Sequence, residues 1–465
     1  MFRSPPRPTP ANERKNLEVL MAASRATRRE FIKGAVLSSA ALAFPYVVPS
    51  SALGAGGRTA PSERITLGFI GTGDHGIGRN LTGFLAHEDA QVLAVCDVDT
   101  ERREKAKALV EEHYSKTKGQ GSYKGCEAYN DFRDIIARKD IDAVVISTPD
   151  HWHVIPAVMA ARAGKDVFCE KPLTLTVAEG RILSDTVKKH KRVFQTGSEN
   201  RSTQIRVYHR MCELVRNGRI GRLRHIRVEL PQGRWIRPAS QEVCPPPKGF
   251  DYDMWLGPAP EAPYCPARCH WNFRWILDYS GGFLTDWGAH LIDIAQWGNN
   301  TEFTGPVEVE GKGEFPKEGI FNTATKFDIT YRYANGVTLN VVSTQPGIRF
   351  EGDEGWIGNS GWGAPLQAEP KSILDSVIKP NEVHLYTAPD EIRNFLDCVK
   401  TRKQCYAPAE VGHRTITIAH IGNIAMQLGR KLRWDPAKER FVNDEEANRM
   451  LSRPMRKPWD SYLKA

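Results

Sequence analysis

From Arg64 onward, short apolar runs alternate with longer stretches in which apolar residues recur at helical spacing. Arg64–Ile70, Gln91–Asp97, Ile141–Pro149, Lys165–Cys169 and Val193–Thr196 read as buried strands. A segment reaching about Leu85, then Glu101–Tyr114, Ile155–Ala163 and Ala178–Lys189, read as the intervening helices. This alternation predicts an α/β Rossmann-type, doubly wound parallel sheet over 63–198. After Arg201 the texture changes. One helix is expected over Ile205–Arg216, followed by strand-like Leu223–Leu230, Val307–Glu310, Lys326–Arg332 and Val337–Ser343. Ala334-Asn335-Gly336 reads as the hairpin turn between the last two. Pro231–Pro266 is Pro-rich and loop-like, and Asp390–Lys400 and Ala409–Leu428 read as helices. Residues 199–465 are therefore expected to form an α+β domain with an antiparallel sheet, and no internal repeat is visible.

Thr27-Arg28-Arg29-Glu30-Phe31-Ile32-Lys33 matches a twin-arginine export pattern, and an Ala/Ser-rich apolar run from Gly34 to Val48 follows. Ala52-Leu53-Gly54-Ala55 offers small residues for cleavage, so 1–55 is expected to be signal and leader, with a Gly/Ala/Ser/Pro linker over 55–63. The alternative is an uncleaved membrane anchor. The twin-arginine route carries folded proteins, which suits a chain that loads a cofactor in the cytosol and then works in the periplasm without a membrane span. The formal net charge of +9 owes much to this segment, where eight Lys/Arg face three Glu over 1–54. No long basic run survives beyond it, so nucleic-acid binding is not supported. The nine cysteines include no Cys-x-x-Cys. Cys265-x-x-x-Cys269-His270 lacks a second pair at metal spacing and reads as structural or free thiols.

The first strand runs directly into Gly71-Thr72-Gly73-Asp74-His75-Gly76, and the second ends at Asp97. A glycine-rich turn between strand and helix lets the backbone approach a pyrophosphate, and the helix N-terminus supplies amide donors. A carboxylate at the end of the second strand suits the adenosine ribose hydroxyls and favours NAD over NADP. Arg102 and Arg103 leave NADP as the alternative. Ligands of such sheets bind at the C-terminal strand ends. There the chain places Thr148-Pro149-Asp150-His151-Trp152-His153 and Glu170-Lys171-Pro172. Further on, Gly281-Gly282 precedes Asp286 and His290, four residues apart and on one face of a helix that begins near Leu284.

The Gly71–Gly76 turn, Glu170-Lys171-Pro172 and Gly281-Gly282 with Asp286 and His290, in this order, resemble the glucose–fructose oxidoreductase, inositol dehydrogenase and rhizopine catabolism (Gfo/Idh/MocA) family over Arg64 to about Pro458. The resemblance implies NAD(P)-dependent hydride transfer on a sugar or cyclitol, an open, mostly antiparallel C-terminal sheet, and homo-oligomers. It places Lys171, Asp286 and His290 at the catalytic positions. Related exported members often carry a second His after the catalytic one, where this chain has Leu291.

The chemistry agrees with that placement. An imidazole titrating near ~6.5 is the best base for a carbinol proton. Asp286 is expected to orient it, and Lys171 to steady the developing alkoxide. A metal at Asp286 and His290 lacks an apparent third ligand.

The cofactor side is read as Gly71, Thr72, Gly73, Asp74, His75, Gly76, Asp97, Thr148, Pro149, His153, Glu170 and Lys171. His153 contacts nicotinamide or substrate, or else caps a helix; Trp152 is a pocket wall or core. Gln195, Asn200, Arg201, Arg274 and Tyr279 are weaker substrate candidates, and His413 with Arg414 reads as structural. Besides a sugar oxidoreductase, two alternatives stand: an NAD-dependent glycoside hydrolase using transient oxidation, and a dinucleotide-binding protein without catalysis.

Overall fold

The computed structural model describes residues 60–118 and 124–464, so the twin-arginine segment, its leader and most of the linker lie outside the described residues. Six strands form the first sheet: β1 (Ile65–Ile70), β2 (Ala90–Cys96), β3 (Glu127–Tyr129), β4 (Ala143–Ile146), β5 (Asp166–Glu170) and β6 (Phe194–Gly197). They lie in the order β3-β2-β1-β4-β5-β6, and every pairing is parallel. The order reverses between β1 and β4, which opens a crevice at their C-terminal ends. β4, β5 and β6 are buried at every position, as continuous apolar runs require when both faces are covered.

Nine strands form the second sheet: β7 (Leu223–Pro231), β8 (Glu308–Glu314), β9 (Lys326–Arg332), β10 (Thr338–Thr344), β11 (Gly347–Gly352), β12 (Trp356–Asn359), β13 (Gln367–Glu369), β14 (Leu432–Asp435) and β15 (Arg440–Phe441). The order is β13-β12-β11-β7-β10-β9-β8-β14-β15. All pairings are antiparallel except β7 with β10. β9 and β10 join through the expected turn, with Gly336 at φ +88°. β9 alternates buried and solvated positions, and β8 alternates half-buried and exposed ones around the buried Val309, so one face packs on the core and the other meets water.

The chain from Glu63 forms one compact unit. Late segments return to the first sheet. The helix Glu391–Thr401 lays Phe395 against Phe84 and Phe168, with ring centroids 6.2 and 5.8 Å away. The helix Ala409–Leu428 packs between the helix Val177–Lys189 and β8. Arg181 on the former pairs with Glu410 at 2.8 Å. None of the described helices is long and apolar enough to cross a membrane.

Candidate active site

β1 turns as soon as it ends. Gly71 has φ +88°, and a Cβ there would lie 2.7 Å from backbone atoms of Ser147 and Thr148. A Cβ on Gly76 would lie 2.4 Å from the Gly71 carbonyl oxygen, so the turn can close onto its own helix only without a side chain. A π-helical stretch, Gly76–Leu81, follows and passes into the α-helical turn Thr82–Leu85 where a plain helix is expected. The outer side of the turn borders a cavity of about 540 Å³. Gly71, Gly73, Asp74, His75 and Gly76 line it, together with Asp97 and Arg102.

Asp97 is held for its task. Its Oδ2 accepts from the Thr72 amide at 2.7 Å, and its Oδ1 from the Asp99 amide at 3.0 Å. Burial raises its carboxyl above the usual range, and these amides partly counter that. Thr72 itself is fully buried behind the turn. Its amide and hydroxyl serve Asp97, which corrects the expectation that Thr72 meets the cofactor directly. A narrow, side-chain-free cradle at a helix start, with a carboxylate beyond it, fits a nicotinamide dinucleotide.

Thr148, Pro149, Glu170 and Lys171 line the same cavity from the ends of β4 and β5. His153 does not. It is 1% exposed, and its ring nitrogens face the Pro172 and Thr148 carbonyls at 2.7 and 2.8 Å. It ties the two loops together, which corrects its placement against nicotinamide. Glu170 Oε1 accepts from Asn80 Nδ2 at 2.9 Å and lies 3.1 Å from His75 Nε2. Burial opposes its ionisation, yet His75, Asn80 and Lys171 outweigh burial and hold its carboxyl below the usual range. Glu170 thus anchors the glycine-rich helix under Lys171.

The opposite wall comes from Gly281-Gly282 onward. Gly282 has φ +70°, and a Cβ there would lie 2.7 Å from Thr323 Cβ. A short helix, Phe283–Asp286, breaks at Trp287, and a second, Gly288–Gly298, continues. Asp286 and His290 therefore sit on successive helical segments and both line the cavity. Lys171 Nζ donates to Asp286 Oδ1 at 2.8 Å and to the Asp286 carbonyl at 3.3 Å. Arg274 Nε lies 3.6 Å from the same carboxylate oxygen. His290 turns its Nδ1 to the Ser198 carbonyl at 3.0 Å. Asp286 holds Lys171, and Ser198 orients His290, which corrects the expected Asp286–His290 partnership.

The electrostatics follow from this arrangement. Burial opposes the charge on Asp286, but Lys171 and Arg274 keep its carboxyl well below the usual range. Burial and then the Lys171 charge push the His290 imidazole down to about 3. His290 is neutral at ordinary pH. The Ser198 carbonyl can only accept, so Nδ1 carries the hydrogen and Nε2 keeps its lone pair.

Among the weaker candidates, Arg274 and Trp152 line the cavity. Trp152 donates its indole N–H to the Trp255 carbonyl at 2.9 Å and serves also as core. Tyr279 is fully buried behind the wall, against Trp255. Arg201 is buried and paired with Asp293 at 2.7 Å; Gln195 and Asn200 are buried near it in sequence, and none of the three lines the cavity. His413 is buried against Glu439 at 2.8 Å. Cys265 and Cys269 are buried free thiols. Leu291 is fully buried and does not line the cavity. Sequence reasoning missed Trp235, Trp271 and Trp287, which all line it. The one available signal was the Trp-rich composition, which does not say where the rings gather.

Two family models match the chain. One, described as oxidoreductase family, NAD-binding Rossmann fold, covers residues 65–198. The other, described as oxidoreductase family, C-terminal alpha/beta domain, covers residues 231–461. Among curated proteins, the chain is 35% identical over 176 residues to a glycosyl hydrolase family 109 protein of Shewanella sp. (strain ANA-3), covering 35% of this chain and 37% of that protein. It is 30% identical over 213 residues to an alpha-N-acetylgalactosaminidase of Shewanella oneidensis, covering 43% of this chain and 44% of the other. The chain spans less than half the length of these curated relatives. Among solved structures, it resembles an aldose-aldose oxidoreductase from Caulobacter crescentus complexed with glycerol, with TM-score 0.56 and 19% identity over 80% of this chain and 99% of the other. It also resembles the WlbA dehydrogenase from Bordetella pertussis in complex with NADH and UDP-GlcNAcA, with TM-score 0.58 and 16% identity over 80% of this chain and 99% of the other. At these identities the structural likeness shows the fold.

Proposed function

The chain belongs to the Gfo/Idh/MocA oxidoreductase family, and from that premise we propose that it uses NAD to move hydride to or from a ring carbon of a sugar. The observation that carries the reading is one cavity bordered on one side by the glycine-rich turn and Asp97, and on the other by Lys171, Asp286 and His290.

The dinucleotide, when bound along Gly71–Gly76, supplies the hydride acceptor or donor. The chain supplies the rest. Lys171 spends two donor contacts on Asp286 and keeps a third hydrogen for the substrate oxygen. Its charge steadies the alkoxide that forms as the hydroxyl ionises. His290 Nε2, neutral and unpaired by Ser198, takes the hydroxyl proton. Asp286 holds Lys171 fixed between the two walls. Asp97 favours NAD, because a 2′-phosphate would meet its carboxylate.

A second reading is favoured by the glycosyl hydrolase family 109 relatives. The same residues would oxidise a glycoside transiently, and the sugar would leave with no net redox change. Export through the twin-arginine route and a homo-oligomeric assembly belong to this proposal as well.

One experiment separates the readings. Purified protein is denatured to identify any released dinucleotide, and the intact protein is then given mono- and disaccharides while nicotinamide absorbance and released monosaccharide are followed. Stoichiometric NADH and ketosugar support the oxidoreductase. Released monosaccharide with no accumulated NADH supports the hydrolase. Failure to bind NAD or NADP would sink both.

A further inference from the structure

Resting on the sugar reading above, we infer that the substrate carries at least two linked rings, with the reacting ring at His290 and the next ring seated on Trp235. Trp235 and Trp362 are 48% and 36% exposed, among the few large apolar side chains left open to solvent; Trp235 lines the cavity and Trp362 abuts His290. They come from distant segments: Trp235 from the loop after β7, and Trp362 from the loop between β12 and β13.

The rings form a continuous wall. The Trp362 centroid lies 4.7 Å from the His290 ring and 5.5 Å from Trp287. Trp287 lies 5.6 Å from Trp235, and Trp235 lies 5.0 Å from Phe283. All of these contacts are edge-to-face, the favoured arrangement for such pairs, so each ring holds its neighbour's orientation.

Trp235 is fixed in place as well. Its carbonyl accepts from the Trp271 indole N–H at 2.6 Å, and the guanidinium groups of Arg237 and Arg274 lie over the Trp271 ring, 4.2 and 4.5 Å from its centroid. Arg237 in turn bonds Asp74 at 2.6 Å, so the loop carrying Trp235 is tied to the glycine-rich turn. A half-exposed indole held this rigidly beside a cavity marks a ligand surface, not a packing remnant.

The geometry then orders the ligand. Lys171 and His290 fix where the reacting hydroxyl sits. Trp362 packs edge-to-face on the His290 ring, which is 7% exposed. Trp235 stands one ring further out, beyond Trp287, and lines the cavity. A single hexose at His290 would leave it bare. The apolar C–H face of a second pyranose is the surface that fits it, since sugar hydroxyls point outward from that face. The ligand class is therefore a di- or oligosaccharide, or a glycoside with a ring as its second part.

The test compares cellobiose, lactose and maltose with glucose and galactose as substrates of the intact protein with NAD, alongside their quenching of tryptophan fluorescence. Wild type should favour at least one disaccharide over its component monosaccharides by about tenfold or more in kcat/KM. Trp235→Ala should raise KM for that disaccharide about tenfold while kcat moves less than twofold, the size of one lost aromatic contact. Trp235→Phe should recover most of the loss, which separates a stacking role from disruption of the loop. Equal kcat/KM for mono- and disaccharides, or an unchanged disaccharide KM in Trp235→Ala, would overturn the inference and leave the sugar reading standing. If none of the five sugars is turned over or quenches fluorescence, the sugar reading fails and this inference with it.

Discussion

Replacing Lys171 by Met tests the ion pair on which the site is built. The two side chains are 14% and 11% exposed, so their 2.8 Å contact is poorly screened by water. Breaking a buried pair by removing one partner costs about 3–5 kcal/mol, because a charge is left uncompensated. Two features reduce that here. Arg274 stays 3.6 Å from Asp286, and Asp286 can take up a proton once Lys171 is gone. The expected loss at pH 7.5 is about 2–3 kcal/mol, and kcat/KM should fall about 10²–10³-fold with the lost oxyanion donor.

The sign of the pH dependence is fixed. In wild type the Asp286 carboxyl lies below its unfolded value of 3.8, so it contributes stability above that value and loses it only as pH falls through the folded one. In Lys171→Met, burial pushes the carboxyl above 3.8, so the penalty grows as pH rises through the new value and shrinks in acid. Urea unfolding followed by tryptophan fluorescence at pH 5.0 and 7.5 should therefore show a smaller deficit at the lower pH. Adding Asp286→Asn removes the stranded charge and should recover at least about 1 kcal/mol without restoring turnover. A double variant no more stable than Lys171→Met, or a deficit independent of pH, would refute the buried pair.

Three further outcomes are expected. His290→Gln should cut kcat by about 10²–10⁴-fold while dinucleotide binding is retained. Because the folded imidazole lies at about 3, a kcat/KM profile with an acid limb near ~6.5 that vanishes in this variant would contradict a neutral His290. Gly76→Ala should abolish dinucleotide binding measured by fluorescence titration, since its Cβ would lie 2.4 Å from the Gly71 carbonyl; binding within threefold of wild type would count against the cradle. Asp97→Ser should shrink the preference for NAD over NADP by about tenfold or more in Kd, and an unchanged ratio would remove Asp97 from the ribose site.

Five of the six strands of the first sheet were legible because they are largely apolar runs, and its ligand turn is dictated by glycine geometry. Lys171, Asp286 and His290 were legible as residues, since each follows a strand end or a glycine break. Their partnerships were not. The i, i+4 spacing of Asp286 and His290 suggested a pair, but the break at Trp287 puts them on separate helices, and their true partners lie 115 and 92 residues away. The same holds for His153, whose two carbonyl partners sit on different loops. β3 and β11–β15 escaped notice: β3 and β12–β15 are two to four residues long and too brief for a period-2 signal, and β11 offers only Ile348 and Phe350 between two glycines.

The placement of the helix Glu391–Thr401 bears on how the chain is made. Phe84 and Phe168 belong to the first sheet's layers, yet Phe395 completes their cluster. Ile392 and Leu396 of the same helix share that core. During synthesis, a sheet whose last strand ends at Gly197 must wait nearly two hundred further codons for this cover. Until then its aromatic face is open to water and to other nascent chains, the condition under which chaperones are recruited. Truncation anywhere between the two should yield an aggregating fragment and not a free-standing nucleotide-binding module.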